Sequence, residues 1–140
     1  MHRRPLGRGR QLASLAAVII VCGCLLPWWQ FGGDVGELTK LQGNAFEGSG
    51  ILVFFAALAT IALLALPYAA GDRPVAIDRP ISYAAVVIVG WLGLIIRAIG
   101  LATTGFLALP DRAPGLWLAA IGLIVLSRAV YDLSKEPTLR

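Results

Sequence analysis

Four long apolar segments, separated by shorter polar stretches, dominate the pattern of this chain. They predict helices over approximately residues 11–29, 50–70, 81–102 and 115–131. A helix that crosses a bilayer needs roughly 17 to 25 predominantly apolar residues, and each segment is about that long. The pattern therefore predicts an all-α membrane protein, a bundle of four transmembrane helices that takes up residues 1–140 as a single integral membrane domain.

The composition favours a membrane protein over a water-soluble fold. Hydrophobic residues make up 58% of the chain and charged residues only 14%, and the mean hydropathy is +0.78. A soluble domain of ordinary composition is about one-quarter charged. We therefore expect the lipid bilayer itself to be the first partner of the chain, because lipid can surround the apolar surface that a small core could not hide.

The basic residues predict an orientation rather than a nucleic-acid partner. They flank the apolar segments and do not form a stripe with interleaved aromatics, so the net charge of +4 does not indicate nucleic-acid binding. Nine Lys and Arg residues lie in the N-terminal arm, the link between helices 2 and 3 and the C-terminal flank, against two in the other links. Because Lys and Arg are enriched in cytoplasmic flanks, we predict a plasma-membrane protein with both termini in the cytoplasm.

The first apolar segment has an alternative interpretation as a cleaved signal. Arginines precede a short apolar core, as in a signal peptide, and Val21-Cys22-Gly23-Cys24 is similar to the box before a lipidated cysteine. However, the residues that follow Cys24 are Leu-Leu-Pro-Trp-Trp, where a lipoprotein usually continues with a polar tether. We favour a retained helix, with cleavage or lipidation as the alternative.

Metal and redox sites find little support in the sequence. The chain has one histidine, His2, and two cysteines, Cys22 and Cys24, which form no disulfide framework. Two residues that are two positions apart on a helix project about 200° from each other, so the cysteines do not chelate a metal together. Their spacing also differs from the Cys-x-x-Cys of thiol redox sites. We predict packing roles for both cysteines, with no metal and no cofactor.

The link between the first two helices, residues 30–49, is too long for a simple turn. Trp29 and Phe31 alternate with Trp28 and Gln30, which suits a short strand, and Gly32-Gly33-Asp34 is a strong turn signal. A second strand is predicted over Val35–Leu41, with another turn at Gln42-Gly43-Asn44. The link is therefore expected to form a small outer loop, as a β-hairpin or cap on the helix ends.

Aromatic side chains make this outer loop a candidate contact surface. The four residues concerned are Trp28, Trp29, Phe31 and Phe46. Phe46 is expected to point back toward lipid or toward the tryptophans. In the simpler interpretation these side chains only anchor the protein at the membrane interface, where indole rings concentrate.

Two short motifs frame the outer loop. Leu26-Pro27-Trp28 closes the first helix, and Asn44-Ala45-Phe46-Glu47-Gly48 opens the second after a glycine-rich stretch. With these motifs the chain resembles a group of small bacterial four-helix membrane proteins whose first outer loops have a similar Pro-Trp and Phe-Glu-Gly character. The layout is also similar to that of claudin-like tetraspans, although the loop lacks the paired cysteines of claudins. The resemblance implies the four-helix topology and carries no catalytic residues.

One charged residue, Arg97, lies within the third apolar segment. An arginine at membrane depth costs from about 2.5 kcal/mol upwards, so it normally has a partner inside the protein. We predict a structural ion pair between Arg97 and Glu47, with Asp34, Glu37 and Asp111 as the other candidate partners. The alternatives are a lone arginine that snorkels to the surface, or a site for an anion or a lipid headgroup.

Small residues recur at helical spacing and predict close helix contacts. Such contacts serve packing inside a bundle or, alternatively, dimerisation and docking onto a larger complex. The residues concerned are Ala13, Ala17, Gly90, Gly93, Gly100, Gly115 and Ala119.

The sequence shows no set of nucleophile, base and acid, and no phosphate-binding loop. We therefore predict a non-enzymatic membrane protein: a scaffold, an accessory subunit or a tetraspan that binds a membrane-protein partner or a second copy of itself. The alternative is a small transporter, or a lipid- or anion-binding protein, that uses Arg97. A cavity that reaches Arg97 would favour this alternative. A membrane enzyme has the least support.

Overall fold

The computed structural model describes residues 7–33, 39–69, 80–107 and 109–135. Its helices are α1 (Arg8–Leu25), α2 (Ile51–Ala69), α3 (Pro80–Thr103) and α4 (Pro114–Lys135). Between α1 and α2 lie the strands β1 (Trp29–Phe31) and β2 (Leu41–Gly43), followed by a 3-10 turn over Gly48–Gly50.

All four helices are long and apolar enough to cross a membrane. They contain 18 to 24 residues, which at ~1.5 Å per residue gives roughly 27 to 36 Å, close to the ~30 Å hydrocarbon thickness of a bilayer. Four candidate membrane-spanning helices and a small antiparallel sheet are thus confirmed, as the sequence predicted.

The end of α1 differs from the prediction. The helix stops at Leu25, so Trp28 and Trp29 lie beyond it instead of forming its last turn. Pro27 explains the difference, because its ring disfavours helical geometry in the preceding residue and it has no N–H to donate. Leu26 accordingly has an extended backbone, with φ −80° and ψ 158°.

The C-terminal helix is longer than predicted. It continues to Lys135, one turn past the predicted end near residue 131. The extra turn is polar and carries interactions that stabilise a helix end. Arg128 forms an ion pair with Asp132, with Nε and Oδ1 3.4 Å apart at an (i, i+4) spacing. Lys135 places a positive charge at the C-terminal end of the helix dipole.

The two strands pair antiparallel, with Trp29 opposite Gly43 and Phe31 opposite Leu41. The predicted first strand is present. The prediction of a second strand over residues 35–41 and a turn at residues 42–44 was wrong, because β2 itself runs through Gly43; residues 34–38 lie outside the described part. The turn comes later, where the side chain of Asn44 accepts a hydrogen bond from the backbone N–H of Phe46 (3.1 Å).

The helices form a ring in which α1 contacts α2 and α4, and α3 also contacts α2 and α4. At one end, the backbone N–H of Gly115 donates to the carbonyl of Pro27 (3.0 Å). At the other end, Gly9 lies against Leu133. We call the end that carries β1 and β2 the cap end, and the end that carries Arg8 and Lys135 the terminal end.

The backbones of α1 and α4 approach each other closely at the cap end. A Cβ atom added to Gly23 would lie 2.6 Å from the backbone nitrogen of Ala119, and one added to Gly115 would collide with the carbonyl of Leu26. Only residues without side chains allow this spacing. The predicted small residues Ala13 and Ala17 are also fully buried.

The remaining predicted small residues, those of α3, divide into two groups. Gly90 packs against Leu123 of α4 and Ala56 of α2, and Gly93 packs against Leu52. Gly100 has no heavy atom of the described structure within 4 Å of an added Cβ. Internal packing therefore accounts for Gly90 and Gly93 but not for Gly100.

A pair of matched glycine substitutions tests the α1–α4 contact. We expect Gly23→Ala to lower the free energy of unfolding by about 1–3 kcal/mol, because the new methyl group must push the helices apart. The control Gly100→Ala should be neutral or stabilising by up to ~1 kcal/mol, since it adds a better helix former in open space. Thermal unfolding in detergent measures both. Equal melting temperatures for the two variants would contradict the packing described here.

Candidate functional site: the cap over the helix ends

Trp28 anchors the cap, by which we mean residues 28–33 and 39–50. Its side chain is fully buried, and its indole Nε1–H donates to the carbonyl of Gly23 (2.9 Å). Its backbone N–H donates to the carbonyl of Gly43 (2.7 Å). The indole thus satisfies a carbonyl in the last turn of α1, where helical partners are missing, and the backbone N–H of the same residue holds β2 over the helix end. Trp28 therefore cannot belong to the predicted contact surface.

A polar network centred on Glu47 joins the cap to α3. The carboxylate oxygen Oε2 accepts a hydrogen bond from Trp29 Nε1 (2.8 Å) and lies 3.6 Å from Arg97 Nη2. The structure thus brings the predicted pair, Arg97 and Glu47, within ion-pair distance. Trp29 is the member of the network that the sequence analysis missed.

Two glycines make room for this network. A Cβ atom at Gly43 would collide with the carboxylate of Glu47 and the indole nitrogen of Trp29. Gly48 has a positive φ of 78°, and a Cβ atom there would lie 3.2 Å from Arg97 Nη1. The backbone of the cap therefore lies directly over the guanidinium group, at a distance that a side chain would prevent.

The burial of Arg97 is uneven. Its side chain is 21% exposed, against 50% for Glu47. Within the described part of the chain, Arg97 Nε is buried and has no hydrogen-bond partner. An ion pair with one partner half exposed contributes only up to about 1 kcal/mol. We therefore interpret the pair as a device that positions the cap, not as a major source of stability.

Aromatic contacts hold the two sides of the cap. Phe46 packs edge-on against Phe54 of α2, with ring centroids 5.0 Å apart, and it stays partly exposed. Trp29 and Phe31 both pack against Phe106, which follows α3, with centroids 5.6 and 5.8 Å apart. Together with the polar network, these contacts tie the cap to α2, to α3 and to the segment after α3.

Three large apolar side chains of the cap stay exposed despite these contacts. Phe31 is 52% exposed, Leu41 55% and Phe46 40%. Phe31 and Leu41 are partners across the two strands, so they lie side by side on one face of the sheet. We refer to Phe31, Leu41 and Phe46 as the exposed cap residues.

Among the cavities at the cap end of the described structure, three lie close to the cap. A small one of about 130 Å³ is lined by Leu25, Pro27, Gln42, Gly43, Asn44 and Glu47. The outer groove, of about 480 Å³, is lined by Gln30, Phe31, Thr104, Gly105, Phe106, Leu107, Leu109, Asp111 and Arg112. The α3–α4 cleft, of about 180 Å³, is lined by Leu94, Ala98, Leu107, Leu116, Trp117 and Ala120. Arg97 lines none of the three. Asp111, a candidate partner of Arg97, lies in the outer groove.

Comparisons of the chain with protein-family models, with curated proteins and with solved structures find no match. In residues 7–33, 39–69, 80–107 and 109–135, no three His, Cys, Asp or Glu side chains come together as metal ligands. Cys22 is exposed and Cys24 is buried, and both are free thiols.

Substitutions at Glu47 separate the two interactions of the network. Glu47→Gln keeps an oxygen that can accept from Trp29 but loses the charge opposite Arg97, whereas Glu47→Ala loses both. We expect the rate at which trypsin cleaves after the exposed Lys40 to rise from wild type to Glu47→Gln to Glu47→Ala. The increase for Glu47→Ala should be about 5- to 30-fold, because a loss of about 1–2 kcal/mol opens the cap that much more often.

The control for this experiment is Asp132→Asn, which breaks an ion pair at the terminal end and should leave cleavage at Lys40 unchanged. Arg97→Leu should accelerate cleavage about as much as Glu47→Gln. Cleavage at the wild-type rate in both Glu47→Ala and Arg97→Leu would show that the network does not hold the cap.

Proposed function

We propose that this protein is a non-enzymatic, multi-pass membrane protein that uses its cap to bind another membrane protein or a second copy of itself. One observation carries the proposal. Three large apolar side chains, Phe31, Leu41 and Phe46, remain 40–55% exposed on a segment that the rest of the chain holds in place. Exposed apolar side chains on a fixed support are typical of protein-binding surfaces.

The contacts that hold the cap in place support this role energetically. Binding is weakened when a loop must be ordered as the complex forms. Here Trp28 fixes the base of the cap, and Glu47 connects it to α3. A partner would therefore meet a surface whose backbone is already ordered, so that more of the apolar contact energy remains as affinity.

The proposed location is the plasma membrane, with the cap outside and the termini in the cytoplasm. At the terminal end the structure describes four basic residues, namely Arg8, Arg10, Arg128 and Lys135. At the cap end it describes three, namely Lys40 and Arg112 in the connecting segments and Arg97 within α3. This asymmetry supports the orientation, since the side richer in Lys and Arg stays in the cytoplasm.

We also infer that the first segment is retained as a helix. Ile20 and Cys24 of α1 belong to the buried core, and Gly23 contacts α4 directly. Removal of α1 would expose this face of α4 and would leave Trp28 without the carbonyl that its indole binds. The packing thus favours retention over cleavage or lipidation at Cys24.

The alternative function, transport or anion binding through Arg97, has less support. The guanidinium group lies beneath Gly48 and beside Glu47, and it lines none of the three cavities close to the cap. An anion that approached it would also meet the carboxylate of Glu47, which repels it.

Cysteine labelling tests the orientation. In a background with Cys22→Ala and Cys24→Ala, we expect Lys40→Cys to react with a membrane-impermeant maleimide on intact cells, because the cap faces outside. Ser134→Cys, at the terminal end, should react only after the membrane is permeabilised. The opposite pattern would show that the protein is inserted the other way round.

Site-specific photo-crosslinking tests the binding surface. A photoreactive amino acid at Leu41 should give one discrete adduct in native membranes, because this side chain would lie against the partner. The same residue at Tyr68, which is exposed near the terminal end of α2, serves as the control and should not give that adduct. Phe46→Ser should weaken the Leu41 adduct by about tenfold if Phe46 contacts the partner, which corresponds to a loss of ~1.4 kcal/mol.

The mass of the adduct distinguishes a different membrane protein from a second copy of this chain. No adduct at Leu41, or the same adducts at Leu41 and Tyr68, would contradict the proposal. The exposed aromatics would then be anchors at the membrane interface.

A further inference from the structure

Two of the cavities at the cap end meet at one residue. Leu107 lines both the outer groove and the α3–α4 cleft. Its position is fixed by the chain reversal at the end of α3, where Gly105 has a positive φ of 76° and the backbone N–H groups of Phe106 and Leu107 both donate to the carbonyl of Leu101 (2.9 and 3.1 Å). The groove and the cleft therefore lie next to each other on either side of a fixed turn.

The two cavities differ in chemistry. The side chains of the α3–α4 cleft are all hydrocarbon or aromatic, with Ala98 and Leu94 on α3 and Ala120 on α4. The outer groove is mixed: Gln30 and Thr104 offer hydrogen-bonding groups, and Asp111 and Arg112 offer one negative and one positive charge. The two cavities thus form an apolar compartment next to a polar one. An amphiphile needs this arrangement, because one end of it is apolar and the other is polar.

The depth of the cleft suits an acyl chain, and its volume of about 180 Å³ accommodates the part of the chain nearest the head group. Leu94 lies nine residues before the end of α3, and Ala120 lies six residues after the start of α4. At ~1.5 Å per residue, the cleft reaches roughly 9 to 14 Å below the helix ends, up to nearly half of the ~30 Å hydrocarbon thickness. Trp117 on its rim is partly exposed, so the cleft opens toward the surrounding lipid. The volume of the outer groove, about 480 Å³, also falls in the range of ligand sites.

We propose that the outer groove and the α3–α4 cleft together bind one phospholipid from the leaflet at the cap end. One acyl chain occupies the cleft, and the head group occupies the groove. Arg112 keeps its interaction within the protein and uses further guanidinium N–H groups to contact the phosphate, and Asp111 accepts from a primary ammonium group, so the head group is of the phosphoethanolamine type. This site goes beyond the proposed function and does not use Arg97. Phe31 belongs both to the exposed cap residues and to the lining of the outer groove, but Leu41 and Phe46 line neither cavity, so substitutions at these two residues test partner binding without altering the lipid site.

Native mass spectrometry of the full chain in detergent tests the proposal directly. Phosphatidylethanolamine and phosphatidylcholine with identical acyl chains are added at equal concentration. The ammonium group of the first can donate hydrogen bonds to Asp111, whereas the quaternary group of the second has no N–H. We expect one phosphatidylethanolamine per chain, bound about tenfold more tightly than phosphatidylcholine. The tenfold difference is that expected when phosphatidylcholine lacks one charge-assisted hydrogen bond to Asp111.

Four variants assign the parts of the site. Ala98→Phe and Ala120→Phe fill the cleft from opposite walls, and each should weaken the binding of both lipids at least tenfold. Asp111→Asn should abolish the preference for phosphatidylethanolamine, and Arg112→Gln should weaken both lipids. The control is Ala85→Phe, the same change at an exposed position of α3 that lines neither cavity, and it should bind as the wild type does.

A melting curve of each variant shows whether it folds. If one cleft variant does not fold, the other still tests whether filling the cleft blocks lipid binding. The proposal is wrong if the wild type binds the two lipids equally, or if Asp111→Asn keeps the preference. It is also wrong if a folded cleft variant binds phosphatidylethanolamine as tightly as the wild type. Each of these results would mean that lipid associates only with the general apolar surface.

Discussion

The contact between the last turn of α1 and the first turn of α4 is the constraint on which the cap end depends. Gly23 and Gly115 let the two backbones approach so closely that side chains cannot fit between them. This approach exposes the carbonyl of Gly23 to the indole of Trp28 and that of Pro27 to the N–H of Gly115. A water-soluble loop could leave such carbonyls to solvent. At a membrane surface, satisfying them inside the protein fixes the chain above them.

The cap in turn provides the partner that allows α3 to carry a charged side chain near the bilayer. Arg97 is the one charged residue of α3, and the cap supplies a carboxylate, Glu47, near the cap end of that helix. Trp29 donates to the same carboxylate, so one oxygen connects a strand to α3. The exposed cap residues stand on this framework. Structure and proposed function are therefore linked: the contacts that accommodate a charged residue also hold the surface that we assign to a partner.

Much of this architecture could be predicted from sequence, because membrane spans are encoded by local composition. The apolar lengths predicted four helices, and the isolated Arg97 predicted a partner near the same end. The details of the cap could not be predicted. Gly43 suggested a turn, yet it lies within a strand because Trp29 and Glu47 need its empty position. Trp28 looked like a membrane anchor. Only the tertiary structure shows that its side chain is buried and that its indole donates to the carbonyl of Gly23. Such roles depend on residues that are distant in sequence, and a single chain carries no local signal for them.

The central claim is that the cap is a fixed platform held by Trp28, and hydrogen exchange of the backbone amides in lipid nanodiscs tests it most directly. The claim predicts that the amides of Trp28 and Ala45, which donate to Gly43 and Cys24, exchange slowly in the wild type. In Trp28→Phe, which loses the indole N–H, they should exchange at least tenfold faster while the amides of α3 keep their protection. Exchange of the wild-type cap at the rate of an unstructured peptide would contradict the account.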